Sequence, residues 1–176
     1  WDRGTATIMI LGDICTRACG FCSVKTGKPI WNDPMEPIRA AEAVKKMNLK
    51  HVVVTSVDRD DLKGDYGAKI WAETINQIHK NVPGCTVEVL TPDFWGRKEN
   101  LYRVLDAGPI VFNHNIETVK RLQRSIRSGA TYNRSMKILK WASEHSNIKV
   151  KSGIMVGLGE SKNEVMETIG DLYENG

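Results

Sequence analysis

The chain has 176 residues, 41% of them hydrophobic and 26% charged, the make-up of one globular domain with enough apolar side chains for a core. Its Lys and Arg exceed its Asp and Glu by 25 to 21, too mild an excess for a basic nucleic-acid arm, so no nucleic-acid partner is expected. No apolar run approaches the about 20 residues of a membrane span, and the opening residues WDRGTATIMILGD lack a secretory pattern. The expectation is no membrane association and a cytoplasmic protein.

Along the chain, short apolar runs alternate with amphipathic stretches. Residues 6–11, ATIMIL, read as a first strand that runs into Asp13 and a cysteine-rich loop. Pro37 then fits the first turn of a helix continuing over 38–47. A second strand, HVVVTSV at 51–57, leads into the charged DRDD segment. Trp71, Ile75, Ile78 and Val82 share one helical face, and Pro83-Gly84 stops that helix. A third strand at 86–90 ends in Thr91-Pro92-Asp93, and a short helical pattern fits 99–106. A fourth strand at 109–115 carries Asn113-His114-Asn115, with another short helical pattern over 117–127. Tyr132, Met136, Leu139 and Ala142 mark a further helix, KVKSGIMVGL at 149–158 a fifth strand, and Val165, Ile169 and Leu172 a last helix.

Strands alternating with helices imply parallel crossover units, because each return to the sheet needs a long connection. Two closures fit, an open doubly wound sheet and a (β/α) barrel. A full eight-fold barrel takes about 250 residues, so this length supplies a partial one. The chain stops at YENG, where a further strand is due, and is predicted to be a fragment of a larger protein with its last strand left as an unpaired edge. Either closure gathers reactive groups at the carboxyl ends of the strands. Polar and glycine residues do cluster at that end of each.

Three of the four cysteines fall in one octapeptide, CTRACGFC, as Cys15, Cys19 and Cys22. Three thiolates in a compact loop can serve three irons of a [4Fe-4S] cube and leave the fourth iron open to a ligand. The alternative is a zinc site completed by His51, His79 or His114, although structural zinc sites favour paired Cys-x2-Cys units. The fourth thiol, Cys85, starts a strand and reads as a buried small hydrophobe.

The Cys-x3-Cys-x2-Cys spacing, with Phe21 before the last cysteine, resembles the radical S-adenosylmethionine (SAM) superfamily. Within it, the blocks GTATIMILGDICTRACGFCSVKTGKP, HVVVTSVDRDDL, EVLTPDFWG, FNHNIETVKRL and KSGIMVGLGE are similar, in order, to the lipoyl synthase family. The resemblance implies an α/β fold: a partial (β/α) barrel of the radical SAM type with parallel strands, truncated before the last strand, with residues 1–176 as its core domain. It implies a [4Fe-4S] cluster on Cys15, Cys19 and Cys22 with SAM on the open iron. Phe21 would lie beside the adenine, and Thr55 and Ser56 near the SAM amino group. Gly153, Gly157 and Glu160 match a G-x-x-x-G-x-x-E pattern that lines the adenosyl part, and Asn113 and Asn115 would point to the same mouth. Arg124 and Arg127 would lie close by.

The activity implied is that of a radical SAM sulfurtransferase, which inserts two sulfur atoms at C6 and C8 of a protein-bound octanoyl group. Such C–H bonds have no acidity, so a borrowed radical is needed rather than a general base. The implied partners are octanoylated lipoyl carrier domains, of 2-oxoacid dehydrogenase E2 and glycine cleavage H protein, with ferredoxin or flavodoxin as electron donor. A second, auxiliary [4Fe-4S] cluster is expected only in the full-length protein, its ligands outside residues 1–176, so this segment alone is expected not to insert sulfur. A mitochondrion or plastid would be the location if a targeting segment precedes residue 1. A biotin synthase-like enzyme would share the cysteine motif without the VTSVDRDDL block, and a metal-binding structural module would share neither activity.

Overall fold

The computed structural model describes residues 4–145 and 148–176. Its main sheet has five parallel strands. These are β1 (Thr5–Ile10), β4 (His51–Ser56), β5 (Thr86–Leu90), β6 (Val111–Asn113) and β7 (Lys149–Lys151), side by side in that order. A two-stranded parallel ribbon, β2 (Ile14–Cys15) with β3 (Lys25–Thr26), closes the base of the cysteine loop and was not foreseen. The helices are α1 (Glu36–Lys46), α2 (Ala68–Asn81), α3 (Lys98–Asp106), α4 (Gln123–Ile126), α5 (Tyr132–His145) and α6 (Lys162–Glu174).

Strand order decides between the two closures. Each new strand is added to the same edge, so right-handed crossovers put the helices on one face; a doubly wound sheet must reverse direction. Ile10, Val52, Val54, Val87, Val89 and Phe112 are fully buried on that helical face, against Ala41 and Val44 of α1 and Trp71, Ile75 and Ile78 of α2. Alternate residues on the other face are more open: Thr5, Thr7 and Met9 are exposed, His51, Val53 and Thr55 half-buried. In the run HVVV, Val52 and Val54 are buried against the helices, while Val53 lies half-buried on the more open face. The arrangement is that of a barrel wall, with β1 and β7 as the sheet's two edges, unpaired with each other.

Two elements differ from the sequence expectation. The fifth strand stops at Lys151, and the chain rejoins the sheet only through a bridge between Ile154 and Glu117. Glycines at 153, 157 and 159 weaken a ladder where side chains would otherwise pack. The helical pattern over 117–127 starts later than expected: 117–119 are not helical, and a 3-10 turn at Lys120–Leu122 runs directly into the single turn of α4.

Gly67 begins α2 with φ +87, and a Cβ there would stand 2.5 Å from Leu11 Cδ1. Both the backbone and the close approach call for glycine. Gly67→Ala is expected to destabilise the fold by about 1–2 kcal/mol, read as a lower midpoint in urea.

Candidate functional site

The cysteine loop leaves the sheet after β1. Leu11 and Gly12 turn it with φ of 68 and 84, and their amides donate to the Glu36 carboxylate at the start of α1. Cys15 lies on β2; Cys19 and Cys22 follow in irregular chain. Cys15 and Cys19 are half-buried, Cys22 is exposed, and none is in a disulfide. Burial pushes the Cys15 and Cys19 thiols up from their ordinary range. Cys85 is buried at the amino end of β5, on the opposite side of the sheet.

Beneath the loop lies a buried ionic cluster. The Arg17 guanidinium is ion-paired to Asp58 at 3.2 Å and donates to Asp60 (2.8 and 3.0 Å) and to Asp93 (2.8 Å). Asp93 also accepts from Arg134 of α5 at 2.9 Å. Burial works to raise the Asp93 carboxyl, but hydrogen bonds and charge from Arg17, helped by Arg134, hold it at about 2. Asp58 goes the other way: burial outweighs Arg17 and pushes it to about 6. Phe94 and Trp95 follow Asp93 with positive φ, a strained conformation for aromatic residues. It keeps the Asp93 carboxylate under the Trp95 amide at 3.1 Å and sets the Trp95 ring against Arg134, 4.7 Å away. The charged DRDD segment is largely drawn inward: Arg59 is buried, paired with Asp61 at 2.9 Å and bonded to Leu11 O.

A cleft of about 190 Å³ opens at the carboxyl ends of the strands. Cys15, Cys19 and Cys22 line it together with Phe21, Thr55, Ser56 and Asn115. Thr55 and Ser56 donate their hydroxyls to Leu90 O (3.2 Å) and Val57 O (2.8 Å). Asn113 lies beneath the cleft lining, buried, with its Oδ1 lacking a partner. Gly153 stands behind Asn115: a Cβ there would meet Asn115 Oδ1 at 2.9 Å. Gly157 and Glu160 lie outside the lining, where Glu160 accepts from the amides of Gly157 and Leu158 and so folds the loop on itself.

Arg127 lines the cleft wall while only 8% exposed. Its guanidinium donates to neutral oxygens, Ile116 O and Gln123 Oε1 at 3.3 Å and Ser135 Oγ at 3.0 Å. Burial pulls its pKa down. Arg124, on α4, is exposed and lines no part of the cleft. His114 also lines the cleft, fully enclosed, with Nδ1 against Thr91 O and Nε2 against Ser135 Oγ, both at 2.9 Å. Burial lowers its pKa to about 4 and keeps the ring neutral.

The donor set suits a cluster better than a single ion. Cys15, Cys19 and Cys22 line one cleft as three separate thiols. A four-iron cube takes one thiolate per iron, so its ligands stand farther apart than those of one ion. Of the histidines weighed as zinc ligands, His114 has both nitrogens engaged. His51 starts β4, at the far end from the cleft, with Nδ1 on Thr86.

The family model of the radical SAM superfamily matches residues 9–172. The chain belongs to the radical SAM superfamily. Membership implies a [4Fe-4S] cluster and SAM as cofactors. The chain is 52% identical over 176 residues to a lipoyl synthase of Christiangramia forsetii, covering all of this chain and 60% of that one. It is 54% identical to a lipoyl synthase of Rubrobacter xylanophilus, again over all of this chain and 55% of the relative. A mitochondrial lipoyl synthase of Nematostella vectensis is 51% identical, over 99% of this chain and 60% of its own length. The chain thus spans a little over half the length of these curated relatives. Methylornithine synthase shares the fold with a TM-score of 0.74 at 16% identity, over 99% of this chain and 51% of that one. Streptococcus suis SuiB bound to SAM does so with 0.73 at 14%, over 98% and 38%.

Within this radical SAM core, sequence reasoning missed Arg17 and Asp93. An arginine between the first two cysteines and an aspartate closing a strand were the available signals. Neither motif spacing nor periodicity could pair residues 76 positions apart.

Proposed function

We propose that the chain is the core of a lipoyl synthase, which attaches sulfur to a protein-bound octanoyl group. The observation that carries this reading is the meeting of all three motif cysteines with Phe21, Thr55, Ser56 and Asn115 in one cleft. The lipoyl synthase relatives, each matched over nearly the whole of this chain, support the choice within the superfamily.

Cys15, Cys19 and Cys22 would hold the cluster. With SAM bound and one electron received from an external donor, that cluster would supply a carbon-centred radical able to take hydrogen from an unactivated C–H bond. The chain's own residues do the rest. Phe21, 38% exposed on the cleft rim, offers an aromatic face for the adenine. Thr55 and Ser56 present hydroxyl oxygens that can accept from the ammonium group. Asn115 offers an amide to the polar part of the ligand, in space that Gly153 leaves by having no side chain. Arg127 brings a nearly enclosed cation bonded to neutral oxygens, suited to a ligand carboxylate. We assign Asn113, Gly157 and Glu160 to shaping the ends of β6 and β7 around the same ligand. The apolar side chains of Met9 and Leu90 line the cleft and, with its half-closed wall, limit water near the reacting carbon.

The whole protein would act on octanoylated lipoyl carrier domains, take electrons from a ferredoxin or flavodoxin, and draw sulfur from an auxiliary cluster held outside residues 1–176. We place it in a bacterial cytoplasm, or in a mitochondrion as for the Nematostella relative. Among the described residues no helix is long and apolar enough to cross a membrane.

The reading is tested by mass spectrometry of an octanoylated carrier peptide after anaerobic incubation with the parent protein, SAM and a strong reductant. Gain of two sulfur atoms is expected. SAM cleavage without sulfur gain would favour another radical SAM chemistry. Arg127→Gln is expected to weaken SAM binding by about ten-fold, measured by equilibrium titration; unchanged affinity would make Arg127 a wall residue only.

A further inference from the structure

The cysteine loop has little regular structure, so something besides a ladder must hold its thiols. The β2–β3 ribbon closes the base, where the Gly27 amide donates to Cys15 O at 2.9 Å. Single backbone bonds reach outward, from Thr16 to Asp58 O at 3.0 Å and from Gly20 to Ile126 O at 2.8 Å. Arg17 does something different at its two ends. Its side chain, 4% exposed, reaches carboxylates at the ends of two different strands. Its backbone N–H donates to Cys15 Sγ at 3.4 Å, and its carbonyl accepts from Thr26 Oγ1 at 3.2 Å.

We propose that Arg17 is a positioning residue for the cluster: anchored on Asp58, Asp60 and Asp93, it fixes its own amide on the Cys15 sulfur. This rests on the reading of Cys15, Cys19 and Cys22 as cluster ligands. A planar guanidinium spanning several carboxylates cannot swing as a single-point contact can. The peptide unit next to Cys15 is therefore set before any metal binds, which lowers the ordering cost of assembling the site. Once a cluster is bound, an N–H on a ligand sulfur stabilises the more negative, reduced form and raises its potential. Lysine at this position keeps the charge but meets one carboxylate at a time.

The test uses Arg17→Lys and Asp60→Asn, the second leaving the Arg17 contacts to Asp58 and Asp93 in place. In the metal-free protein, alkylation of each cysteine is followed by mass spectrometry. Cys15 is expected to react about ten-fold faster in Arg17→Lys, the effect of losing a charged hydrogen bond on local opening. A smaller acceleration is expected in Asp60→Asn, and Cys85 keeps its native rate in both. After anaerobic reconstitution, Arg17→Lys is expected to bind the native amount of iron with a more negative midpoint potential. Equal acceleration of Cys15 and Cys85 would make Arg17 a general stabiliser and overturn the proposal, as would a native Cys15 rate in both variants. An iron-free wild-type protein with fast Cys15 only in the variants would instead overturn the cluster reading and keep the clamp.

Discussion

Replacing Cys15, Cys19 or Cys22 by Ala is expected to strip most of the iron from the anaerobically reconstituted protein, while Cys85→Ala keeps the native content. A cube bound through three protein thiolates has no spare ligand, so losing one exposes a second iron to solvent and exchange. The three motif thiols line one cleft; Cys85 lies buried at the other end of the sheet. Because burial holds the Cys15 and Cys19 thiols protonated in the metal-free state, cluster binding must expel those protons. Iron uptake should therefore weaken as pH is lowered. Iron per chain, measured after desalting, checks both statements. Equal loss from Cys85→Ala would contradict the assignment.

Asp93→Ala is expected to be among the most destabilising single changes, by about 3–5 kcal/mol. Its side chain is fully buried between two guanidinium groups, Arg17 at 2.8 Å and Arg134 at 2.9 Å. Removing it leaves cationic charge in the interior with too few partners, and frees the Phe94-Trp95 turn from the bond to the Trp95 amide. Asp93→Asn keeps the shape and loses the charge, and should cost less. The pH dependence has a definite sign. The folded carboxyl titrates at about 2, below its ordinary value, so its contribution is complete above the ordinary carboxylate range. It is lost progressively as pH falls from that range down through about 2. Urea midpoints at neutral pH check the main effect, and an unchanged midpoint in Asp93→Ala would contradict it.

Strands and helices were legible where burial follows a simple period. The run HVVV and the Trp71, Ile75, Ile78 face report which side of each element meets the core, and that side is buried. Periodicity alone left barrel wall and doubly wound sheet both open, because the choice depends on strand order, which local pattern does not encode; the family resemblance pointed to the barrel, and the strand order agrees. The short β7 was hidden for a related reason: KVKSGIMVGL is apolar enough for a strand, but its glycines and the Glu160 turn end the ladder early. At the site, Cys15, Cys19 and Cys22 were readable because their ligand spacing is local. The Arg17–Asp93 pair was not, since a buried ion pair looks in sequence like two surface charges. The VDRDD block gained its meaning only once Asp58 and Asp60 stood beside Arg17.

In the proposed function the cleft holds a cluster with one iron open to SAM. Electron paramagnetic resonance of the reduced, anaerobically reconstituted protein, recorded before and after adding SAM, tests it most directly. A reduced [4Fe-4S] signal is expected whose shape changes when SAM is added, with no such signal in Cys19→Ala. A colourless protein holding stoichiometric zinc, or a cluster signal indifferent to SAM, would contradict it.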